Sequence, residues 1–370
     1  MPVLDKVFNA AAEHLASDIH IAPGEPVVLR IQGKLKRLKS SPLTQDQCRK
    51  LILEILTPEQ RKKLEQDLQL DFVYDLGDVG RFRGNAMFHQ AGMSAAFRFI
   101  PPWISTLDEL GLPPIVKKVL DNHQGLILVT GAAGQGKSTT MAAMIDYINT
   151  LRSHHVLTVE DPIEFVHPFK KAVINQRQLG KGTLSYTNAL RAALREDPDV
   201  IMIGELRDLE TISLAISASE TGHLVIGTLA CGSAPKTIDR IIDSYPPGEQ
   251  NQIRAMLSEG LKAVITQRLL PNMDGKTMEL AVEVLIVTLP IANLIREGKV
   301  FQIPSIMQTA KRVGMIGMDD SLLQLVEAGK VAASEAVLYS KNAHVFARHL
   351  AREKKDSGDQ GKGIECLNRL

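Results

Sequence analysis

Residues 131–138 of this chain read GAAGQGKS, a glycine-rich segment that restricts the surrounding fold to a strand, a tight turn and a helix. The segment fits the pattern GxxxxGK[ST]. The apolar run LILV at 126–129 precedes it, and the run TTMAAM at 139–144 follows it. This is the context in which the pattern binds phosphate. The segment therefore predicts a phosphate loop inside an α/β domain.

The residue types in this loop indicate how it would hold a nucleotide. Glycines let backbone N–H groups wrap around phosphate oxygens, and the N-terminus of the following helix adds its dipole. Lys137 is expected to reach the β- and γ-phosphates, and Ser138 supplies a hydroxyl to Mg²⁺. We therefore expect ATP and Mg²⁺ as ligands. The nucleotide-binding residues expected from the loop are Gly131, Gly134, Gln135, Gly136, Lys137, Ser138 and Thr139.

A second ligand for the metal is expected at the end of another strand. The run VIMIGE at 200–205 has the composition of a buried strand and ends in Glu205. From such a position a carboxylate holds a Mg²⁺-bound water molecule next to Ser138. The sequence therefore assigns Ser138 and Glu205 to the metal.

Alternation along the chain predicts the fold around these motifs. Strand-like runs at 126–131, 155–161, 200–205 and 223–229 alternate with helical stretches, which favours a mainly parallel sheet with helices on both faces. Nearer the N-terminus, 27–38 predicts two short strands that meet at Gly33, 44–68 has apolar residues at helical spacing, and three strand-like runs follow at 72–76, 80–88 and 93–100. The predicted organisation is a small α/β domain over 1–99, a proline-rich linker over 100–114, the phosphate-loop domain with C-terminal helices over 115–350, and a disordered tail over 351–370.

Charge balance and cysteine content exclude several classes of protein. Lys and Arg number 43 and Asp and Glu number 42, so no overall basic field attracts nucleic acid. The cysteines Cys48, Cys231 and Cys366 are far apart in sequence and support neither a disulfide framework nor a four-cysteine zinc site. No run approaches the roughly 18 apolar residues of a membrane span. We expect a cytoplasmic protein with no nucleic-acid partner.

Seven motifs resemble, in order, those of the secretion-type traffic ATPases, and most closely the twitching-motility retraction ATPases of type IV pili. They are ASDIH at 16–20, GRFR at 80–83, the phosphate loop, EDPIEF at 160–165, AALREDPD at 192–199, GELRDLET at 204–211 and ETGHL at 220–224. The resemblance implies a PAS-like N-terminal α/β domain and a RecA-like P-loop ATPase domain with a helical C-terminal part. It also implies a homohexamer that hydrolyses ATP to retract a pilus. Such a ring would lie at the cytoplasmic side of the inner membrane, with the platform protein of the pilus machine and a homologous retraction ATPase as candidate partners.

The same resemblance implies roles for individual side chains. Glu164, the last acid of the EDPIE motif, is implied as the general base that orients the attacking water, and His223 resembles the first histidine of the family's His box. Candidate arginines for the γ-phosphate are Arg81, Arg83 and Arg98 in the small domain and Arg195 and Arg207 in the large domain. Arg81 and Arg83 are favoured because residues two apart in a strand face the same side and can reach one phosphate group.

The chain departs from the family pattern at several positions. Ala132, Ala133 and Gln135 replace the usual Pro, Thr and Ser of the loop, Ala230 replaces the second His-box histidine, and Ala292 replaces one arginine of a C-terminal segment. The change at Ala230 keeps open an accessory or regulatory nucleotide-binding ring subunit with weak turnover. A pilus-assembly or type II secretion ATPase is a further alternative, although such proteins usually carry paired CxxC zinc motifs. A DNA motor is disfavoured by the charge balance and the few aromatic residues.

Overall fold

The computed structural model describes residues 2–31, 33–275 and 277–356. The chain divides into two compact units, Met1–Ile104 with Pro162–Val166, and Ser105–Asp161 with His167–Leu370. These bounds differ from the sequence-based ones in two respects. The predicted linker 100–114 is not a free connection, because Leu107 and Leu112 are buried in the second unit. The segment Pro162–Val166, which the sequence placed in the large domain, packs with the first unit.

The first unit combines one antiparallel sheet with helices. Its elements are α1 (Val3–Glu13), β1 (Asp18–Ile21), β2 (Val28–Ile31), β3 (Lys34–Arg37), α2 (Gln45–Glu54), α3 (Pro58–Asp67), β4 (Gln69–Asp75), β5 (Arg81–His89) and β6 (Gly92–Ile100). The six strands lie in the order β3-β2-β1-β6-β5-β4. Phe8 of α1 stacks on Phe82 of β5 with ring centroids 4.2 Å apart, at the centre of the core.

The stretch 44–68, whose apolar residues have helical spacing, forms two helices. Thr57 caps the second of them by accepting a hydrogen bond from the backbone N–H of Gln60, and Pro58 occupies its first turn. A proline at that position fits the start of a helix but cannot continue one. The two strands predicted around Gly33 are confirmed as β2 and β3.

The second unit is built on a seven-stranded sheet. Its strands are β7 (Gly125–Thr130), β8 (His155–Glu160), β9 (Val173–Gln178), β10 (Val200–Ile203), β11 (Leu224–Leu229), β12 (Leu261–Pro271) and β13 (Met278–Ile286), in the order β13-β12-β7-β11-β10-β8-β9. Every neighbouring pair is parallel except β12 with β13. The predicted mainly parallel sheet is therefore confirmed.

Helices cover both faces of this sheet. They are α4 (Ile115–Leu120), α5 (Lys137–Leu151), α6 (Tyr186–Ala193), α7 (Leu209–Glu220), α8 (Ala234–Asp243), α9 (Gln250–Gly260), α10 (Leu289–Arg296), α11 (Ile303–Thr309), α12 (Met318–Glu327), α13 (Ala333–Val337) and α14 (Ala347–Asp356). Alternate residues of β10 enter different cores, Ile201 and Ile203 on one side and Val200 and Met202 on the other. Within the described ranges, no helix combines the length and the apolar character needed to cross a membrane.

The C-terminal helices pack against the antiparallel edge of the sheet. Leu322 of α12, Ala336 of α13 and Phe346 form a separate core with Leu270 of β12 and Ala281 of β13. Helix α14 continues to Asp356, so residues 351–356 are helical where the sequence predicted the start of a tail. The remainder of that predicted tail, 357–370, lies outside the described residues.

Candidate nucleotide-binding site

The phosphate loop joins the end of β7 to the start of α5. It lies at the carboxyl ends of the parallel strands, which form the loop edge of the sheet. Gly131, Gly134 and Gly136 have φ angles of +150°, +77° and +79°, which residues with side chains rarely adopt. A Cβ on Gly131 would also lie 2.9 Å from the main-chain oxygen of Gln267. Helix α5 has no side-chain cap at its N-terminus. Its first-turn N–H groups are therefore available to phosphate oxygens.

Lys137 lies across the loop. Its Nζ donates hydrogen bonds of 2.9 Å to the main-chain oxygens of Gly131 and Ala132. Burial lowers the pKa of the Lys137 ammonium, and the nearby carboxylate of Glu205 opposes that shift. The cation is thus held at the mouth of the loop, where an incoming phosphate would meet it.

Glu205 lies at the same edge of the sheet as the loop. It follows β10 as the loop follows β7, and the carboxyl ends of parallel strands lie together. Its electrostatic interaction with Lys137 agrees with this placement. Hydroxyl and carboxylate oxygens are ligands that suit Mg²⁺, so Ser138 and Glu205 fit this ion.

Arg207 is the one predicted arginine of the second unit that lies beside these residues. Its Nε donates a hydrogen bond of 2.7 Å to Oε2 of Glu205, and this partner raises the pKa of the Arg207 guanidinium. Arg207 therefore offsets part of the negative charge of Glu205, the carboxylate assigned to the metal.

Two further side chains at this edge are Glu160 and Tyr186. Oε1 of Glu160 accepts hydrogen bonds from Thr158 Oγ1 at 2.8 Å and from Gln176 Nε2 at 3.0 Å. The hydroxyl of Tyr186 would lie 3.1 Å from a Cβ on Gly204, which explains the glycine next to Glu205. Burial, followed by the charge of Asp161, raises the pKa of Tyr186 above its usual range. Sequence reasoning missed Tyr186, because no motif or spacing connects it with the acids.

In the first unit, Glu164 is held by the two arginines that the sequence favoured. Nη1 of Arg81 donates to the main-chain oxygens of Ile163 at 2.8 Å and Glu164 at 3.1 Å, and Nη1 of Arg83 lies 3.1 Å from Oε1 of Glu164. The prediction that Arg81 and Arg83 face the same side is confirmed, since both contact the segment Pro162–Val166. Their contact with a phosphate remains a prediction.

Arg98 has a different partner. It pairs directly with Arg83 across β5 and β6, and its Nε donates a hydrogen bond of 3.2 Å to Oδ1 of Asp18. The carboxylate of Asp18 also lies 3.7 Å from Nε of Arg30, so it is shared by two arginines.

Two predicted site residues, His223 and Arg195, precede strands of the parallel sheet, whereas the phosphate loop follows one. His223 precedes β11, whose first residue Leu224 pairs with Gly125, whereas Leu229 pairs with Thr130 beside the loop. The six residues of β11 span about 20 Å. Arg195 lies in the turn between α6 and β10, and the adjacent Glu196 pairs with Arg177 of β9 at 3.2 Å. His223 therefore does not reach the phosphate loop of its own chain, and the site roles of His223 and Arg195 remain predictions.

Position 230, where the family pattern has a histidine, is at the loop edge. Ala230 follows β11 directly, and its main-chain oxygen accepts a hydrogen bond of 3.0 Å from Nη1 of Arg240. A cavity of about 510 Å³ is lined nearby by Arg207, Leu229, Lys236 and Arg240, among other residues. Ala230 itself is exposed, so a longer side chain at position 230 has space.

Comparison with known proteins extends over nearly the whole chain. The family model described as type II/IV secretion system protein matches residues 1–356. Over 333 residues the chain is 48% identical to a Pseudomonas aeruginosa protein named type IV pilus retractation ATPase PilT, covering 90% of this chain and 96% of that one. It is 47% identical over 341 residues to a twitching motility protein of Neisseria gonorrhoeae, covering 92% and 91%. The crystal structure of the pilus retraction motor PilT with bound ADP matches with a TM-score of 0.83 at 44% identity, covering 94% and 99%.

Proposed function

This chain belongs to the family of type II/IV secretion system proteins, and from that membership we propose that it is an ATP-hydrolysing motor that drives retraction of a type IV pilus in twitching motility. One relative is named a type IV pilus retractation ATPase and another a twitching motility protein, and each likeness spans at least 90% of the chain. The reaction is the hydrolysis of ATP to ADP and phosphate.

The observation that carries the proposal is the meeting of the phosphate loop, Lys137 and Glu205 at one edge of the parallel sheet. The loop N–H groups and Lys137 bind the β- and γ-phosphates, and Ser138 and Glu205 hold Mg²⁺. When bound, this ion neutralises charge on the phosphates. Glu164 acts as the general base that orients the attacking water.

We propose that the working assembly is a homohexameric ring. Arg81, Arg83 and Arg98 belong to the first unit and the phosphate loop belongs to the second. In the ring, arginines of one copy stabilise the negative charge that develops on the γ-phosphate bound by the next copy. Arg207 supplies a further positive charge from the loop's own chain.

We propose that the ring acts at the cytoplasmic face of the inner membrane. There the ring would act on the platform protein of the pilus machine and, in one version of the proposal, beside a homologous retraction ATPase. Nucleic acid is not a proposed partner.

A second candidate function rests on position 230. The family pattern has a histidine there and this chain has Ala230 at the loop edge, so an accessory ring subunit that binds nucleotide and turns it over weakly is the alternative.

The test is ATP hydrolysis by the purified protein, compared with Glu164→Gln. This substitution keeps size and hydrogen-bonding reach but removes the basic carboxylate, so ATP should bind while turnover falls about a hundredfold or more. Glu13→Gln, at an exposed carboxylate of α1 in the same unit, is the matched control and should leave turnover unchanged.

Three outcomes separate the readings. Lost ATP binding in Glu164→Gln would move this acid to a structural role, and unchanged turnover would transfer the water-orienting role to another carboxylate such as Glu160. Wild-type turnover no higher than that of Glu164→Gln would favour the accessory subunit.

The motor function is tested in cells by complementation. In cells that lack the chain, the wild-type gene should restore twitching and Lys137→Ala should not.

A further inference from the structure

Strand β12 continues beyond the end of its neighbour β7. The parallel pairing of these strands stops where Thr266 lies opposite Thr130, and the phosphate loop begins at the next residue, Gly131. On its other side β12 remains paired with β13 as far as Pro271. The backbone groups that residues 267–269 direct toward β7 therefore need partners other than a strand.

The phosphate loop supplies these partners. Oε1 of Gln135 accepts a hydrogen bond of 2.7 Å from the backbone N–H of Leu269, in the place that a strand carbonyl would occupy. Gly131 lies so close to β12 that a Cβ there would be 2.9 Å from the main-chain oxygen of Gln267. The loop is thus hydrogen-bonded to β12 through its fifth residue and packs closely against β12 at its first.

The helix that follows the loop is fixed to the same stretch of β12. The side chain of Gln267 is fully buried, and its Nε2 donates a hydrogen bond of 2.9 Å to Oγ1 of Thr140 in the first turn of α5. Segment 267–269 therefore contacts the start of the loop, its middle and the helix beyond it. All three contacts join groups of the protein itself.

We infer that Gln135 is a positioning residue, whose side chain holds the phosphate loop against β12 in the shape that binds a nucleotide polyphosphate. Its side-chain oxygen accepts a hydrogen bond from the backbone N–H of Leu269, so its effect on the phosphates is exerted through the loop. A loop fixed in advance loses less conformational freedom when the ligand binds, and its affinity rises accordingly. Serine, which the family pattern has here, carries its oxygen directly on Cβ and is too short for this contact.

The inference depends on the proposed function only in taking a nucleotide as the ligand, and Mg-ADP is therefore the probe. The test variant is Gln135→Met, which keeps the length of the side chain and removes the amide acceptor. The matched control is Gln124→Met at an exposed glutamine of the same unit. Amide hydrogen exchange is followed by mass spectrometry on peptides that contain Leu269, and Mg-ADP affinity is measured by calorimetry.

In Gln135→Met we expect the Leu269 amide to exchange at least about tenfold faster and Mg-ADP affinity to fall about three- to tenfold, the usual range for one hydrogen bond. The KM for ATP should rise by a similar factor while kcat stays within about twofold. Gln135→Glu, which keeps an oxygen acceptor, should restore protection of the Leu269 amide. Gln124→Met should change none of these quantities.

Unchanged exchange at Leu269 in Gln135→Met would show that the Gln135 side chain does not hold the loop against β12. Faster exchange with unchanged Mg-ADP affinity would show that this hydrogen bond does not contribute to nucleotide binding. Should Gln135→Met fail to fold, Gln135→Ser is compared in the same way, with the same results deciding. A wild-type protein that does not hydrolyse ATP would count against the proposed motor and not against the positioning role of Gln135. Amide hydrogen exchange and Mg-ADP binding are measured without turnover.

Discussion

The ammonium group of Lys137 is the single group on which nucleotide affinity should depend most. It donates to two carbonyl oxygens of the loop, and phosphate oxygens are better acceptors because they are charged. Lys137→Ala removes the only cation of the loop, so we expect calorimetry to detect no tight ATP binding. Lys118→Ala, at an exposed lysine of α4 in the same unit, is the control. ATP affinity equal to wild type in Lys137→Ala would disprove the assignment of this site.

A second prediction at this scale concerns the residue after β11. Ala230→His restores the side chain that the family pattern has at the loop edge, where an imidazole would lie near the γ-phosphate. If the missing histidine limits turnover, Ala230→His should raise kcat in a steady-state ATPase assay and leave ATP affinity within about threefold, because binding rests on the loop. Ala328→His, at an exposed position of the same unit outside the site, controls for the addition of an imidazole. An unchanged or lower kcat would show that this chain does not use a histidine there.

The predictable part of the site is the part that is contiguous in sequence or follows the geometry of strand ends. The loop residues belong to one motif, and Glu205 was found because it ends an apolar run. The site roles of His223 and Arg195 rest on motif matches, and a motif match does not tell at which end of a strand a residue lies; for His223 the register of β11 with β7 decides that. Gln267 and Tyr186 approach the site through tertiary packing. No motif or spacing in the sequence indicates such packing at either position.

At the scale of elements, runs of apolar residues identified β7, β8, β10 and β11, which are buried on both faces of the sheet. The edge strand β9 escaped prediction because four of its six residues are polar and the alternation of its apolar residues is weak. The return of Pro162–Val166 to the first unit is invisible in sequence, because it depends on contacts with Arg81 and Arg83 more than 80 residues away.

The segment where the chain re-enters the second unit contains a buried histidine. His167 is 8% exposed, its Nδ1 has no hydrogen-bond partner within the described part of the chain, and burial lowers its pKa to about 4 from 6.5. Because the folded pKa is the lower one, the unfolded chain binds more protons between pH 6.5 and pH 4. This contribution to stability is therefore complete above pH 6.5 and is lost as the pH falls toward 4.

The resulting prediction is a pH-dependent difference between wild type and His167→Gln. A pKa difference of this size corresponds to about 3 kcal/mol, so between pH 7 and pH 4.5 the free energy of unfolding should fall by roughly 2 to 3 kcal/mol more in wild type than in the variant. Urea unfolding at the two pH values measures this, with His123→Gln at an exposed histidine as control. Parallel pH dependence in wild type and His167→Gln would refute the neutral buried state.

At the scale of the whole molecule, exposed apolar side chains agree with assembly into a ring. Phe169, Leu184, Leu289 and Phe301 are each at least 75% exposed, so their side chains are available to contact another copy. Because the arginines and the phosphate loop lie in different units, ATP held between copies would strengthen their association. Light scattering with saturating Mg-ATP should therefore give about six times the chain mass of 40.6 kDa. In Lys137→Ala, Mg-ATP should add nothing to the assembly seen without nucleotide. A wild-type protein that stays monomeric at micromolar concentration in saturating Mg-ATP would rule out the ring and, with it, the supply of arginines from a neighbouring copy.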